Sequence, residues 1–265
     1  MASHLLAHFA RVVSRQSKPI WRPPMEVNNA VALVTGANRG VGQTYVAALL
    51  ERGVRKVYAA ARAVENLSET IALDPARIVP VQLDVTSQKQ IAAAATAASD
   101  VTLLINNAGS LTFGGALDID EHGLGRDMAV NNDGLREVTR AFAPVIEANG
   151  GGAVVNMLTL LSFVSAPGFS GYNASKAAAW SMSMSLRAYL RPKGIAVVNA
   201  FPAGIDTDML AGVDAPKDAP SDVVRDVLDG VVAGHEDIYP ASAAEVFSAW
   251  RADQKAVEEM FATMM

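Results

Sequence analysis

The sequence predicts a single doubly wound α/β domain, with a parallel sheet covered by helices on both faces. Short, fully apolar runs alternate with longer helical stretches along the 265 residues, and strands buried on both faces read as such runs. The first run ends in a glycine-rich turn that opens a helix. The chain is 51% hydrophobic and 18% charged, enough apolar surface for a sizeable core. No composition break, linker or internal repeat divides it.

The segment "MASHLLAHFARVVSRQSKPIWRPP" stands apart. It holds Arg11, Arg15, Lys18 and Arg22 and no acid. Leu5, Leu6, Phe9, Val12 and Val13 would share one helix face. Acid-free and amphipathic is how an organelle transit peptide reads. A start-site extension ahead of Met25 and a short helix lying on the domain are the other readings. Residues 1–24 are therefore set aside as an extension, and 25–265 form the expected domain. The expected localisation is cytoplasmic, with organelle import by residues 1–24 as the alternative.

"AVALVTG" is the first strand, and "VGQTYVAALLERG" the first helix, closed by Gly53. "KVYAAAR", "RIVPVQLDV", "VTLLINNAG", "GAVVNML" and "IAVVNAF" are further runs of strand length. Helices are expected from Ser87 to Ser99, from Tyr172 to Arg191 and over "SDVVRDVLDGVVAG". "LAGVDAPKDAP" reads as a mobile loop.

Several classes are excluded. The net charge of −5 lacks the basic face of a nucleic-acid binder. Without cysteine there are no disulfides, thiolate metal sites or cysteine nucleophiles. The four histidines have no metal-ligand spacing, so no metal is expected. No apolar run reaches the roughly 18 residues a membrane span needs.

"TGANRGVG", Thr35 to Gly42, follows the first strand and opens the first helix. Gly36, Gly40 and Gly42 let the backbone turn tightly and approach a pyrophosphate, which the free N–H groups of the helix then face. A plain tight turn is the simpler alternative. In a dinucleotide site the second strand usually ends in an acid that holds the ribose hydroxyls. Here that position is Ala61, followed by Arg62, and Arg39 lies inside the loop. Two guanidiniums and no acid suit a 2′-phosphate, so NADP(H) is preferred over NAD(H).

"TGANRGVG", "NNAG" at Asn106 to Gly109 and "YNASK" at Tyr172 to Lys176 fall in that order. With them the sequence resembles the classical short-chain dehydrogenase/reductase family, over about Ala30 to Met209. The resemblance implies a Rossmann-type domain. Asn38, Arg39 and Val41 join the glycines at the pyrophosphate, Asp84 and Val85 lie by the adenine, and Asn107, Ala108 and Gly109 line the cofactor. It implies a catalytic group of Asn131, Thr159, Tyr172 and Lys176, the last two also touching the cofactor. Thr159 stands where the family has Ser, and Ser162 is the other hydroxyl in reach. Pro202, Ile205 and Thr207 would meet the nicotinamide. The family's glycine-rich C-terminal strand is replaced by "EDIYPASAAEVF". A homodimer or homotetramer is expected.

Tyr172 and Lys176, four apart, share a helix face. Free, they titrate near about 10 and 10.4. A nearby ammonium favours phenolate and an oxidised nicotinamide ring adds a second positive charge; bringing the phenol to about 7 takes roughly 4 kcal/mol, which two close cations can supply. Tyr172 would then exchange the proton, Thr159 would hold the substrate oxygen, and Asn131 would position a water linking Lys176 to solvent. The expected activity interconverts a ketone or aldehyde with an alcohol. Leu111, Phe113, Phe163, Phe169, Met209 and Leu210 are the apolar candidates for the pocket, which suits a hydrophobic carbonyl substrate and a reductase. A non-catalytic nucleotide sensor or scaffold on the same fold is the competing reading.

Overall fold

The computed structural model describes residues 25–263; the expectations for residues 1–24 lie outside the described residues. Seven parallel strands form one sheet in the order β3-β2-β1-β4-β5-β6-β7. They are β1 (Val31–Thr35), β2 (Lys56–Ala61), β3 (Ile78–Gln82), β4 (Leu103–Asn106), β5 (Gly152–Met157), β6 (Ile195–Ala200) and β7 (Asp237–Ile238). β3 contains Pro80 and lies at a sheet edge, where a missing donor is tolerated. Its end at Gln82 leaves Asp84 and Val85 on the following loop. β7 corrects the sequence reading, which had no strand there: Asp237 and Ile238 pair with Asn199 and Ala200. Two residues are too few to leave a strand signature.

The helices are α1 (Gly40–Glu51), α2 (Ser68–Ala72), α3 (Gln88–Ala97), α4 (Glu121–Met128), α5 (Leu135–Ala148), α6 (Ser170–Leu190), α7 (Pro220–Val232), α8 (Ala243–Ala252) and α9 (Gln254–Ala262). A π-helical turn, Ala129–Gly134, joins α4 to α5. Alternate side chains of each strand point to opposite faces. Ala32 and Val34 join a core with Leu49 of α1 and Val227 of α7. Val31 and Leu33 join the opposite core, with Ile91 of α3, Phe142 of α5 and Leu190 of α6. This is the doubly wound arrangement.

A polar ladder crosses the sheet near its C-terminal edge. Asn106 is in register with Asn156, and Asn156 with Asn199; all three are buried. Asn106 Nδ2 donates to Asn156 Oδ1 and to Thr139 Oγ1, both at 2.9 Å. Asn156 Nδ2 donates to Ser183 Oγ at 2.9 Å and Asn199 Oδ1 at 3.4 Å. The loops that carry the site leave the sheet just beyond this ladder. The segment expected to be mobile is tied back: Asp206 N–H donates to Asp218 O, and Asp218 N–H to Gly204 O.

Candidate active site

The glycine loop is built so that side chains cannot fill it. Gly36 and Gly40 have φ of +65° and +51°, in the left-handed region that favours glycine. A Cβ on Gly42 would lie 2.0 Å from Gly36 O. Asn107 Nδ2 braces the turn by donating to Thr35 O at 2.9 Å and Gly36 O at 3.2 Å. No side chain caps the start of α1, and its first turn holds no acid. A cradle without Cβ atoms beneath an uncapped helix N-terminus fits a pyrophosphate.

The segment after β6 closes against this loop. A Cβ on Gly40 would lie 3.3 Å from Thr207 Cγ2. Arg39, beside Gly40, pairs with Asp208 at 2.8 Å, both exposed. The two arginines stand in different surroundings. Arg39 already holds a carboxylate, whereas Arg62 is exposed and its side chain has no ion pair among the described residues. Ala61, at the position of the usual acid, is buried at the end of β2. Asp84 accepts from Thr86 N–H and Oγ1, which turns the chain there. Val85 is buried and closes on Gly134, where a Cβ would meet it at 2.8 Å. Asn38 and Val41 are partly buried, as are Ala108 and Gly109 beyond β4. Pro202 and Ile205, within the segment after β6, are buried.

Three of the four expected catalytic groups stand around Gly109 or on the helix facing it. A Cβ on Gly109 would lie 3.3 Å from Asn131 Oδ1 and 3.9 Å from Lys176 Nζ. Lys176 is 4% exposed. Its Nζ donates to Met157 O at 2.7 Å and lies 5.7 Å from the centroid of the Tyr172 ring. Asn131 sits in the π turn, and its side chain is fully engaged: Oδ1 accepts from Ser110 N–H, and Nδ2 donates to Ser110 O and Ser175 Oγ. A water linking Lys176 to solvent would therefore have to be held at Asn131 by something other than its side-chain amide. That amide locks the π turn to the β4 loop and to α6.

In the protein alone, without the charge of an oxidised nicotinamide, burial dominates the electrostatics of Tyr172 and Lys176. Burial pushes Tyr172 up, and the Asp127 carboxylate pushes it further. Burial also lowers Lys176 to about 8, opposed by Asp127. Desolvation disfavours both charged forms, and in the protein alone it outweighs the attraction between them. Asp127 is thus a site residue that sequence reasoning missed. Its only signal was an acid in "GRDMAV", on a helix whose buried face shows no strong apolar pattern.

Thr159 is buried after β5. Its Oγ1 donates to Pro202 O at 3.3 Å and accepts from Leu161 N–H at 3.2 Å. Ser162 Oγ has no hydrogen-bond partner among the described residues, nor does Asn173 Oδ1. Both residues line an open cavity of about 580 Å³ with Ala174 and Ala177 of α6, which Tyr172 does not line. The two candidate hydroxyls thus serve different spaces.

The expected apolar wall is only partly assembled. Phe113 packs on Phe169 with centroids 5.4 Å apart, and Leu111 precedes it on the same loop. Met209 and Leu210 lie on the short turn after β6. Phe163 packs its ring on Trp180, Phe201, Phe247 and Trp250, at 4.3–5.3 Å, in an aromatic cluster under α8, and it also lines the cavity that holds Ser162. Sequence alone could not show that α8 reaches back over this loop.

A side-chain-free cradle at a helix N-terminus, together with a buried Lys176 beside Tyr172, fits a dinucleotide-dependent oxidoreductase. The model of the short chain dehydrogenase family matches residues 30–218, and the chain belongs to that family, whose enzymes act on CH–OH and C=O groups. It is 34% identical over 197 residues to galactitol 2-dehydrogenase (L-tagatose-forming) of Cereibacter sphaeroides, covering 71% of this chain and 76% of that one. A short chain dehydrogenase from Burkholderia cenocepacia, solved in complex with NADP, is 40% identical with a TM-score of 0.84, covering 90% of this chain and all of that one. One from Burkholderia phymatum, in complex with NAD, shares the fold at 23% identity and a TM-score of 0.78, covering 89% and 96% of the two chains. Among the described residues no helix is long and apolar enough to cross a membrane.

Proposed function

We propose that this chain is an NADP(H)-dependent oxidoreductase interconverting a ketone or aldehyde with an alcohol, working as a reductase on a hydrophobic substrate. The convergence of Asn131 and Lys176 on Gly109, with Tyr172 beside Lys176, carries this reading. When bound, the dinucleotide supplies or takes the hydride and, in its oxidised form, adds a positive charge. Tyr172 gives its proton to the carbonyl oxygen in reduction and takes it back in oxidation. Burial keeps the phenol protonated, the state that reduction needs. Thr159 donates to the same oxygen by exchanging its bond to Pro202 O. Leu111, Phe113, Phe169, Met209 and Leu210 form the apolar surroundings.

Arg62, exposed and unpaired beside Ala61, supports NADP(H), and the Burkholderia cenocepacia relative's complex with NADP agrees. The test follows nicotinamide absorbance with NADPH or NADH over a panel of aromatic and aliphatic carbonyls, and with oxidised cofactor over polyols, since one relative is named for galactitol. Apolar carbonyls with NADPH should turn over fastest. Faster turnover of polyols, or with NADH, overturns this reading. Arg62→Ala should raise KM for NADPH about tenfold or more, from the loss of a charge-assisted bond of about 1.5–3 kcal/mol. Its KM for NADH should stay within about twofold.

A further inference from the structure

Three charged side chains are buried among the described residues: Glu137, Asp127 and Lys176. Glu137 is bound by Arg136 and Arg140. The other two have no ion-pair partner in contact, yet they lie on α4 and α6, which pack together. A buried charge without a compensating one is strongly disfavoured.

Asp127 is fully buried and well solvated by the protein. Its Oδ1 accepts from Ser110 Oγ at 2.7 Å and Thr112 Oγ1 at 3.2 Å, and its Oδ2 from Thr112 N–H at 2.9 Å. Three donors offset the loss of water around the buried carboxylate. Ser110 is also the residue clamped by the Asn131 amide. A Cβ on Gly171, next to Tyr172, would lie 3.5 Å from Asp127 Oδ2. The carboxylate therefore reaches both sides of the site.

Other charges nearby are held elsewhere. Arg126 donates to Thr112 Oγ1 from the exposed side. His122 on α4, Asp133 in the π turn and Asp206 after β6 are exposed. Arg39 and Asp208 pair with each other. The β4 loop through Thr112, the end of β5 and the segment from Leu160 to Phe169 contribute no ionisable group.

We propose that Asp127 is the buried counter-charge of Lys176, a positioning residue that decides over which pH range Tyr172 and Lys176 keep their protons. This rests on the carbonyl–alcohol chemistry proposed above only for its effect on rate. Asp127 favours the ammonium and disfavours the phenolate, so it holds the pair in the doubly protonated form. The same carboxylate pins Ser110 and Thr112, and with them the loop carrying Leu111.

The test uses the full chain loaded with NADP+. The side-chain carbon signal of Lys176, assigned by its loss in Lys176→Met, is titrated by NMR in wild type, Asp127→Asn and Asp127→Ser. Both neutral variants should move the Lys176 midpoint to lower pH by about half a unit or more. Both limbs of the kcat–pH profile should move the same way, so that oxidation rises at lower pH. An unmoved Lys176 midpoint, with stability alone reduced, makes Asp127 a mere brace for the loop and overturns the inference. Failure of both variants to fold overturns it as well. A moved midpoint in a protein that turns over no member of the panel upholds the counter-charge and rejects the carbonyl chemistry.

Discussion

The segment from Leu160 to Phe169 separates two regions built on opposite terms. On one side, Tyr172, Lys176, Asn131 and Asp127 form a polar corner in which two charges are buried without contact. On the other, Phe163, Trp180, Phe201, Tyr239, Phe247 and Trp250 stack and cross with centroids as close as 3.7 Å. The aromatic side gains from every contact, since such rings bury large areas and add directional attraction. The polar side works against stability, because burial lowers Lys176 to about 8. The corner is tolerable because strong packing lies a few residues away, and substitutions in the two regions should separate activity from stability.

The largest effect belongs to Tyr172→Phe. It keeps the ring and removes the transferable proton, so kcat should fall by about a hundred- to ten-thousandfold, with NADPH affinity changed only a few fold. Steady-state kinetics and fluorescence titration check this, and near-normal turnover would remove Tyr172 as the acid. Thr159→Val comes next. It keeps the shape and deletes the hydroxyl, so kcat should fall about a hundred- to a thousandfold. Ser162→Ala should stay within about threefold, because Ser162 lines the outer cavity. The reverse order of these two would move the substrate oxygen to Ser162.

Lys176→Met should abolish turnover and yet stabilise the protein. Unfolded, Lys176 titrates near its ordinary 10.5, and folded near 8. Between those values the unfolded chain binds more protons, so stability rises with pH from about 8 upward. Below about 8 both states are charged and the burial penalty is complete, of the order of 3 kcal/mol. The variant escapes it but strands the Met157 carbonyl, leaving a gain of about 1–2 kcal/mol at pH 7. Urea denaturation across pH measures this, and a loss of stability at pH 7 would show that the Met157 bond dominates. The smallest effect on chemistry is expected for Trp250→Ala. It should cost about 2 kcal/mol of stability and leave kcat within about twofold; a large drop in kcat would mean that the two regions are coupled.

The sheet and the cofactor cradle were legible because they rest on local pattern. Apolar runs, a glycine turn and a helix start lie next to each other in the chain, and "YNASK" puts Tyr172 and Lys176 on one helix face by spacing alone. What stayed hidden depends on chain brought back from far away. Phe163 reads as a pocket residue, and its second role in the aromatic cluster under α8 comes into view only in the fold. Arg39 reads as a phosphate ligand, and that Asp208, from the segment after β6, lies beside it could not be read from the chain. Asp127 gives no periodic signal, since its importance lies in what surrounds it. What burial does to Tyr172 in the protein alone was hidden for the same reason: spacing reveals a neighbour's charge but not how far both groups are removed from water.

The asparagine ladder has a consequence for anyone wishing to redesign this molecule. Asn106, Asn156 and Asn199 fasten three strands at one height, directly below Asn107, Thr159 and Pro202. It serves as a common workbench on which the three following loops are mounted. Loops of other lengths and compositions can be exchanged above it without resetting the reference plane from which Thr159 and the segment after Pro202 are aimed. A single apolar replacement in the ladder would instead leave its partners' amides unsatisfied and free the strands to slide. The ladder is the part to leave alone, and the loops above it are the parts to trade.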